Sequence, residues 1–375
     1  MASKTWSFQG FEKMPDNSNH WQLTPADNKK IKQTQWCATE KVHGSNFCWI
    51  VSEQEVRAGN RNQLLAPTDP FFHWQSVLPR LQPQLERLFE LVRSPEWSVK
   101  LKDDGAVASR VFVFGELCGG TYPNLESPPG IQAVQTGIYY SPNIEFVAFD
   151  LAITFDDSSS DRTYINFEDA LALFGLAQIF SVQPLIIGNY TQVVNSPNKF
   201  ESKIAKQLGL PVVPNNWAEG MVIRPMRHIL VTTKKGLERP ILKSKIPEFS
   251  EDRRFHAASK WSSEEASESK SPTDFSTPET IMADLAYEIS SLVTTQRIDN
   301  AISKIGHVSA TDKDKMRALL EMYLRDILDQ IQENFAESWQ SLPQDSQNEL
   351  ETGLRKEAVI PFRSHFSISA ATSSQ

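Results

Sequence analysis

From about Gln35 to Ile246 the chain is written in short apolar or alternating runs closed by turn residues. Phe47–Val51, Val111–Phe114, Ile144–Phe149 and Met221–Ile223 have the length and the β-branched or aromatic content of strands. Two patches break that rhythm with spacings of three and four. Leu81, Leu85, Leu88, Phe89 and Val92 predict a helix over Arg80–Val92, and Phe167–Leu176 reads the same way. This is an α+β pattern dominated by antiparallel strands. After Thr277 the period becomes helical throughout. Thr277 offers a hydroxyl cap, Pro278 suits the first turn and Glu279 faces the positive end of the helix dipole. Leu285, Ile289 and Leu292 then form one stripe, and Met316, Leu319, Leu320, Tyr323, Leu324, Ile327 and Ile331 form a second, in a helix expected to start near Thr311. Residues 278–366 therefore predict a small all-α domain.

Between 256 and 277 the text is Ser, Glu, Lys and Pro with almost no aliphatics, too little apolar surface to offset the entropy of ordering. The expected organisation is a first domain over 1–255, a flexible linker over 256–277, the helical domain over 278–366 and a disordered tail over 367–375. With 375 residues, 40% of them hydrophobic, the chain can bury a sizeable core. No run of about 18 apolar residues suggests a membrane span. Met1–Gly10 lack a basic stretch followed by an apolar one, which argues against a secretory signal. Cys37, Cys48 and Cys118 are odd in number and fit no metal spacing, so buried thiols of an intracellular protein are expected.

Charge changes the picture only when it is divided. The net −8 argues against a nucleic-acid partner taken whole, yet residues 251–375 hold 13 basic and 21 acidic side chains. That leaves 25 of each sign in residues 1–250, so the total says nothing about a local groove there.

Five short motifs could carry chemistry. Glu40-Lys41-Val42-His43-Gly44-Ser45-Asn46 sets a lysine in a short loop with a glycine three residues on, where a backbone can approach a ligand closely. A lysine becomes a nucleophile where its neutral form is favoured, but Lys41 also reads as a surface lysine in a turn. Gly115-Glu116 and Glu219-Gly220 put carboxylates at strand ends, where they can hold a ribose or a metal or be ordinary solvated residues. Phe149-Asp150 ends an apolar strand with an aromatic face suited to a purine or to the core. Alternation places the amines of Lys243 and Lys245 on one face of a strand, fit for a triphosphate or for plain solvation.

Taken in order, Lys-x-x-Gly, Gly-Glu, Phe-Asp, Glu-Gly-x-Val-x-basic and Lys-x-Lys resemble the covalent nucleotidyltransferase superfamily of ligases and capping enzymes. In detail they resemble the RNA ligase 2 family of phage and kinetoplastid RNA-editing ligases. His43 stands where that family favours His, Arg61 where it has an ATP-contacting Arg, Phe71-Phe72 match its aromatic pair, and Gln135 falls in a similar V-Q-x-x-I-x-Y run. Gln296 to Gly306 resembles a segment of its helical C-terminal domain, so the likeness spans roughly residues 35–365. The resemblance implies a nucleotidyltransferase (adenylyltransferase) domain of mainly antiparallel sheets flanked by helices, with ATP and Mg²⁺ or Mn²⁺ as cofactors. It implies that Lys41 attacks the α-phosphorus of ATP, that AMP passes to an RNA 5′-phosphate, and that a 3′-hydroxyl then displaces it.

In that scheme Lys243 and Lys245 serve the α-phosphate and help keep Lys41 neutral, and Glu219 meets the metal. Asn46 and Glu116 hold the ribose or phosphate, Arg61 meets the phosphates, and Phe149 stacks on adenine. Glu40 and Val42 contribute mainly backbone groups. His43, Ser45, Phe71, Phe72, Gln135 and Arg224 are the candidates for contact with substrate RNA. Ser45 stands where Thr is common, and Arg224 where Lys is common, which points it to a purely electrostatic role. The implied partner is RNA with 3′-hydroxyl and 5′-phosphate ends, in a nicked duplex clamped by the helical domain, with no membrane and a monomeric enzyme. The expected setting is cytoplasmic or nuclear, with an organelle left open. The rival readings are a DNA-end ligase of the same superfamily and a catalytically silent RNA-binding subunit.

Overall fold

The computed structural model describes residues 7–19, 21–101, 106–155, 162–249 and 278–372. The chain divides into two units, Met1–Ile246 and Pro247–Gln375. The expected linker over 256–277, with Thr277, lies outside the described residues.

In the first unit the strands run, in chain order, β1 Trp36–Glu40, β2 Ser45–Ser52, β3 Val56–Asn60, β4 Leu64–Leu65, β5 Arg110–Thr121 and β6 Ser141–Thr154. They continue as β7 Thr163–Tyr164, β8 Pro184–Gly188, β9 Gly220–Pro225, β10 Val231–Thr233, β11 Gly236–Glu238 and β12 Leu242–Lys245. Two larger antiparallel sheets result, in the orders β4-β3-β2-β5-β6-β7 and β12-β9-β1-β8, with β10-β11 as a separate ribbon. Each strand expected from the sequence is present.

Both faces of the six-stranded sheet are covered, which is why its strands read as apolar runs rather than clean alternation. Phe47 and Trp49 face Trp74 and Phe146, and the helix Leu78–Arg93 packs against β2 and β5. Cys48, Ile50, Phe112 and Phe114 face the other way, against Phe11 of the N-terminal segment. The smaller sheet closes over Trp21, Trp36, Met221, Ile223 and Leu242.

The helices of this unit are α1 Pro25–Gln33, α2 Leu78–Arg93, α3 Pro95–Leu101, α4 Phe167–Ala177, α5 Tyr190–Val194 and α6 Ile204–Gln207. α2 buries the five residues whose spacing predicted it. α1 was not expected, yet its start was written in the sequence. Thr24 accepts from the Asp27 amide while Asp27 reaches back to the Thr24 amide, with Pro25 in the first turn.

The second unit is all helical as described: α7 Pro278–Leu292, α8 Thr295–Ile305, α9 Lys313–Asn334, α10 Ala336–Ser341 and α11 Gln344–Thr372. The two expected stripes meet in one core. α9 starts two residues later than expected because Asp312, not Thr311, caps it, accepting from the Lys315 amide. The segment that carried the C-terminal resemblance becomes α8. Its Arg297, 1% exposed, binds Asp326 at 2.5 Å and also Gln330, and Lys304 joins Asp326 at 3.1 Å. α11 continues to Thr372, so the tail expected to be disordered from 367 is helical up to that residue.

Two backbone constraints set the stage for the site. Gly44 is required by packing: a Cβ there would stand 2.0 Å from the Leu117 carbonyl oxygen of β5. Gly220 has φ +143°, and a Cβ on it would stand 2.0 Å from the Ser244 carbonyl oxygen of β12. Gly220→Ala is therefore expected to cost about 2 kcal/mol, roughly 4–8 °C of Tm for a unit of this size. Thermal unfolding followed by circular dichroism checks this, and an unchanged Tm would show that β9 and β12 can part without cost.

Candidate active site

Glu219 is the centre on which the sequence-assigned residues converge. It directly precedes β9, is 2% exposed, and both of its carboxylate oxygens are engaged. Oε2 lies 2.7 Å from Lys41 Nζ and 3.3 Å from His43 Nδ1, and Oε1 lies 3.2 Å from Lys245 Nζ. Burial opposes its ionisation, but the ammonium groups of Lys41 and Lys245 and the hydrogen bond from His43 outweigh it and hold the carboxyl well below the usual carboxylate range.

The backbone explains why these side chains meet. β1 pairs with β9 and β9 with β12, so Lys41, leaving β1, sits beside Glu219, and Lys245 ends β12 opposite Gly220. The Lys41 amide donates to the Gly220 carbonyl and the Ile246 amide to the Glu219 carbonyl, at 2.9 and 3.0 Å. The loop then crosses to the larger sheet. The His43 amide donates to the Tyr140 hydroxyl at 2.9 Å, and Ser45 begins β2.

On that sheet Asn46 stands opposite Glu116 in the β2–β5 pairing, and its side chain hydrogen-bonds the Glu116 carboxylate. Burial pushes the Glu116 carboxyl up to about 7, against the pull of Lys41 and Arg61 and with the push of Glu219. Glu116 and Arg61 therefore share the field of the Lys41 cluster. Phe149, half-buried, occupies a bulge: Phe114 pairs with Asp150 but Gly115 with Ala148, so Phe149 is the extra residue. Such bulges re-aim side chains at functional sites. Lys243 shares a strand face with Lys245 and lies 3.3 Å from the exposed carboxylate of Asp16. Glu40 turns its side chain away from Lys41 to a loop, accepting from Ser202 Oγ at 2.5 Å and the Lys203 amide at 3.0 Å. Burial pushes its carboxyl up to about 7 as well. Val42 is buried in the loop after Lys41.

Several residues suggested for contact with RNA are not placed for it. Phe71 and Phe72, 3% and 0% exposed, pack edge to face on each other at 4.9 Å, and Phe71 stacks on Phe47. They are core residues. Arg224, 4% exposed, donates to the Phe149 carbonyl at 2.6 Å, binds Asp150 and covers the Phe167 ring at 4.4 Å. Its charge is taken up inside the fold, by Asp150 and the bulge backbone, which keeps the expected electrostatic character but corrects the expected contact with RNA. Ser45 is fully buried at the start of β2, and His43 serves Glu219 rather than an exposed surface. Gln135 lies half-buried on the β5–β6 connection. The three cysteines are free and buried as expected, and burial pushes the Cys37 thiol up to about 11. Reasoning from sequence missed Ser202 and the N-terminal Asp16, neither of which carries a local signal; it also passed over Tyr140, although that residue closes the V-Q-x-x-I-x-Y run in which Gln135 was singled out.

No group of three or more His, Cys, Asp or Glu that could hold a metal occurs among the described residues. Glu219 and Glu116 are the carboxylates beside Lys41, with the exposed Asp16 beside Lys243. Mg²⁺ is commonly held by one or two carboxylates with phosphate oxygens and waters, and that is the mode of binding this donor set fits. The excess of cations over carboxylates suits a polyanion, and the lysine at its centre suits attack on one.

The chain matches the sequence profile of the RNA ligase family over residues 34–245 and that of the T4 RNA ligase 2 C-terminal domain over 277–359. RNA-editing ligase 2, mitochondrial, of Trypanosoma brucei brucei is 29% identical over 232 residues, 56% of this chain and 54% of that protein. RNA-editing ligase 1, mitochondrial, of the same organism is 24% identical over 242 residues, 58% and 50%. The chain thus spans about half the length of the curated relatives it matches. A solved structure of a Naegleria gruberi RNA ligase with PPi aligns at TM-score 0.38 and 14% identity, over 65% of this chain and 60% of that one.

A carboxyl whose pKa is raised by folding binds its proton more tightly in the folded than in the unfolded chain. Its contribution to stability is full below its ordinary value of 4.5 and is lost as pH rises through about 7. Glu40 and Glu116 both act in this sense. Replacing Glu116 by Gln should remove roughly half of their joint loss of stability between about pH 5 and pH 8. Melting curves of the nucleotide-free protein across that range check it; parallel pH profiles for the two proteins would refute it.

Proposed function

Because the chain belongs to the RNA ligase family, with a C-terminal unit matching that of T4 RNA ligase 2, we propose that it is an ATP-dependent RNA ligase whose nucleophile is Lys41. The observation that carries this reading is the convergence of Lys41, Lys245 and His43 on the buried carboxylate of Glu219, with Lys243 on the same strand face as Lys245.

The reaction is three displacements at phosphorus. Lys41 Nζ, once its ammonium proton has gone to solvent, attacks the α-phosphorus of ATP: a P–N bond forms, the bond to the bridging oxygen breaks, pyrophosphate leaves and the nitrogen sheds a second proton to water. An RNA 5′-phosphate oxygen then attacks the lysyl-AMP phosphorus and frees the lysine. Last, a 3′-hydroxyl oxygen attacks the RNA 5′-phosphorus, its proton is lost and AMP departs. Each step spreads negative charge over phosphate oxygens, so positioning and preorganised cations do most of the work. Lys243 and Lys245 supply the cations, with Arg61 on the other sheet. Glu219, held well below the usual carboxylate range, is a poor base; it orients the Lys41 amine instead. Asn46 and Glu116 hold the ribose or phosphate, and Phe149 stacks on the base. A divalent cation would be held by Glu219 together with the nucleotide's phosphates, and it would neutralise charge that develops on them.

The substrate in this reading is RNA with 3′-hydroxyl and 5′-phosphate ends, sealed at a nick in a duplex that is read by shape and 2′-hydroxyls rather than by sequence. The helical unit contributes to RNA binding, and the enzyme works as a monomer. The relatives named as mitochondrial editing ligases support an organellar setting, the alternative to the cytoplasmic or nuclear one expected from the sequence. No helix among the described residues is long and apolar enough to cross a membrane.

The test is incubation with α-labelled ATP and Mg²⁺ in the absence of RNA. Label should survive denaturing electrophoresis, be released by acid and vanish in Lys41→Ala. Lys243→Ala and Lys245→Ala should each slow labelling by about 10²-fold or more. Nicks with RNA at the 3′-hydroxyl end should be sealed in preference to all-DNA nicks. A wild-type protein stripped of bound AMP with pyrophosphate that takes up no label would leave a binding role only.

A further inference from the structure

A second cluster of buried charge lies behind Phe149, and the catalytic scheme does not use it. Arg239, in the turn between β11 and β12, has a side chain only 9% exposed. Its Nη1 donates to Asp150 Oδ2 at 2.8 Å and its Nε to Glu12 Oε1 at 2.7 Å, and its Nη2 also meets Glu12. The guanidinium carbon stands 3.3 Å from the centre of the Tyr164 ring and 5.3 Å from that of Phe11. Tyr164 Oη donates to the remaining Glu12 oxygen at 2.5 Å. Burial opposes the charge of Arg239, but Asp150 and Glu12 outweigh it.

This grip fixes the N-terminal segment. Phe11, one residue before Glu12, meets Phe149 edge to face at 4.9 Å and Phe114 at 5.2 Å. The same segment is held to the larger sheet by Arg162, which donates to the Gln9 and Gly10 carbonyls, and to the smaller sheet by the Lys243 amide, which donates to the Pro15 carbonyl. Asp150 would keep Arg224 as its counter-ion without Arg239, and the half-exposed Glu12 would return to water. What would be lost is the tie between Phe11 and the bulge that carries Phe149.

We propose that Arg239 is a positioning residue for the nucleotide base, acting through Glu12 and Phe11 to hold the Phe149 ring in the orientation that stacks. The proposal rests on the nucleotidyl-transfer reading given above. Lysine is no substitute, because one ammonium cannot present a planar fork to two carboxylates at once.

Formation of lysyl-AMP by the full chain is the readout. Arg239→Gln should raise the KM for ATP about tenfold, the size set by an aromatic contact, with the maximal labelling rate within about twofold of the parent. Arg239→Lys should recover little of this. In a Phe149→Ala background the same Arg239→Gln change should add less than about twofold, since residues acting through one another are not additive. A full tenfold loss in that background, or a fall in rate at unchanged KM, would overturn the proposal. If Arg239→Gln melts below the assay temperature, Glu12→Gln carries the test from the half-exposed end of the pair. It should raise KM a few-fold (about 3) only when Phe149 is present, and an unchanged KM would overturn the proposal. Failure of the parent protein to label would instead sink the nucleotidyl-transfer reading.

Discussion

A carboxylate taken out of water must find cations or lose its charge, and Glu219 is taken almost wholly out of water. It finds the ammonium groups of Lys41 and Lys245 and the imidazole of His43. Lys41 and Lys245 belong to strands on either side of β9, while His43 sits on the loop that leads into the larger sheet. One buried negative charge therefore fixes where three chain segments stand, and it fixes them around the amine proposed as the nucleophile. The arrangement works in both directions. Without Glu219 the two ammonium groups would repel at close range; without them the carboxylate would take up a proton.

The motifs that could be read in the sequence are those in which chemistry and strand register coincide. Lys243-x-Lys245 is legible because a strand places every second residue on one face, and Glu219-Gly220 is legible because β9 must pass close to Ser244 at the glycine. α2 and the helical unit were legible from spacing alone, since their apolar stripes close one core each. What escaped depends on pairing across long distances. Phe71-Phe72 look like a pair for contact with RNA in one dimension, but the fold stacks Phe71 on Phe47 and removes both from the surface. Arg224 looks like a free cation until β6 bulges beside it and offers the Phe149 carbonyl and Asp150. Glu40 looks like part of the nucleophile's loop, yet its partners, Ser202 and the Lys203 amide, lie more than 160 positions away.

The same cleft sorts its counter-charges by depth. Glu219 is buried, and removing its partners one at a time would leave charge stranded in a low dielectric. Asp16, by contrast, is largely exposed where it meets Lys243 at 3.3 Å, and an ion pair in that setting contributes about 0–1 kcal/mol. An arriving phosphate can displace Asp16 at little cost, whereas displacing Glu219 from Lys41 needs a group that satisfies the amine equally well. Glu116 stands between these extremes: its carboxyl is pushed up to about 7 by burial, so near neutral pH it is only partly charged and offers little repulsion to an incoming polyanion. The cleft thus keeps one permanent negative charge beside the amine proposed as nucleophile, one half-suppressed charge on the other sheet and one disposable charge at the rim. Its cations outnumber its carboxylates even though residues 1–250 hold as many acidic as basic side chains.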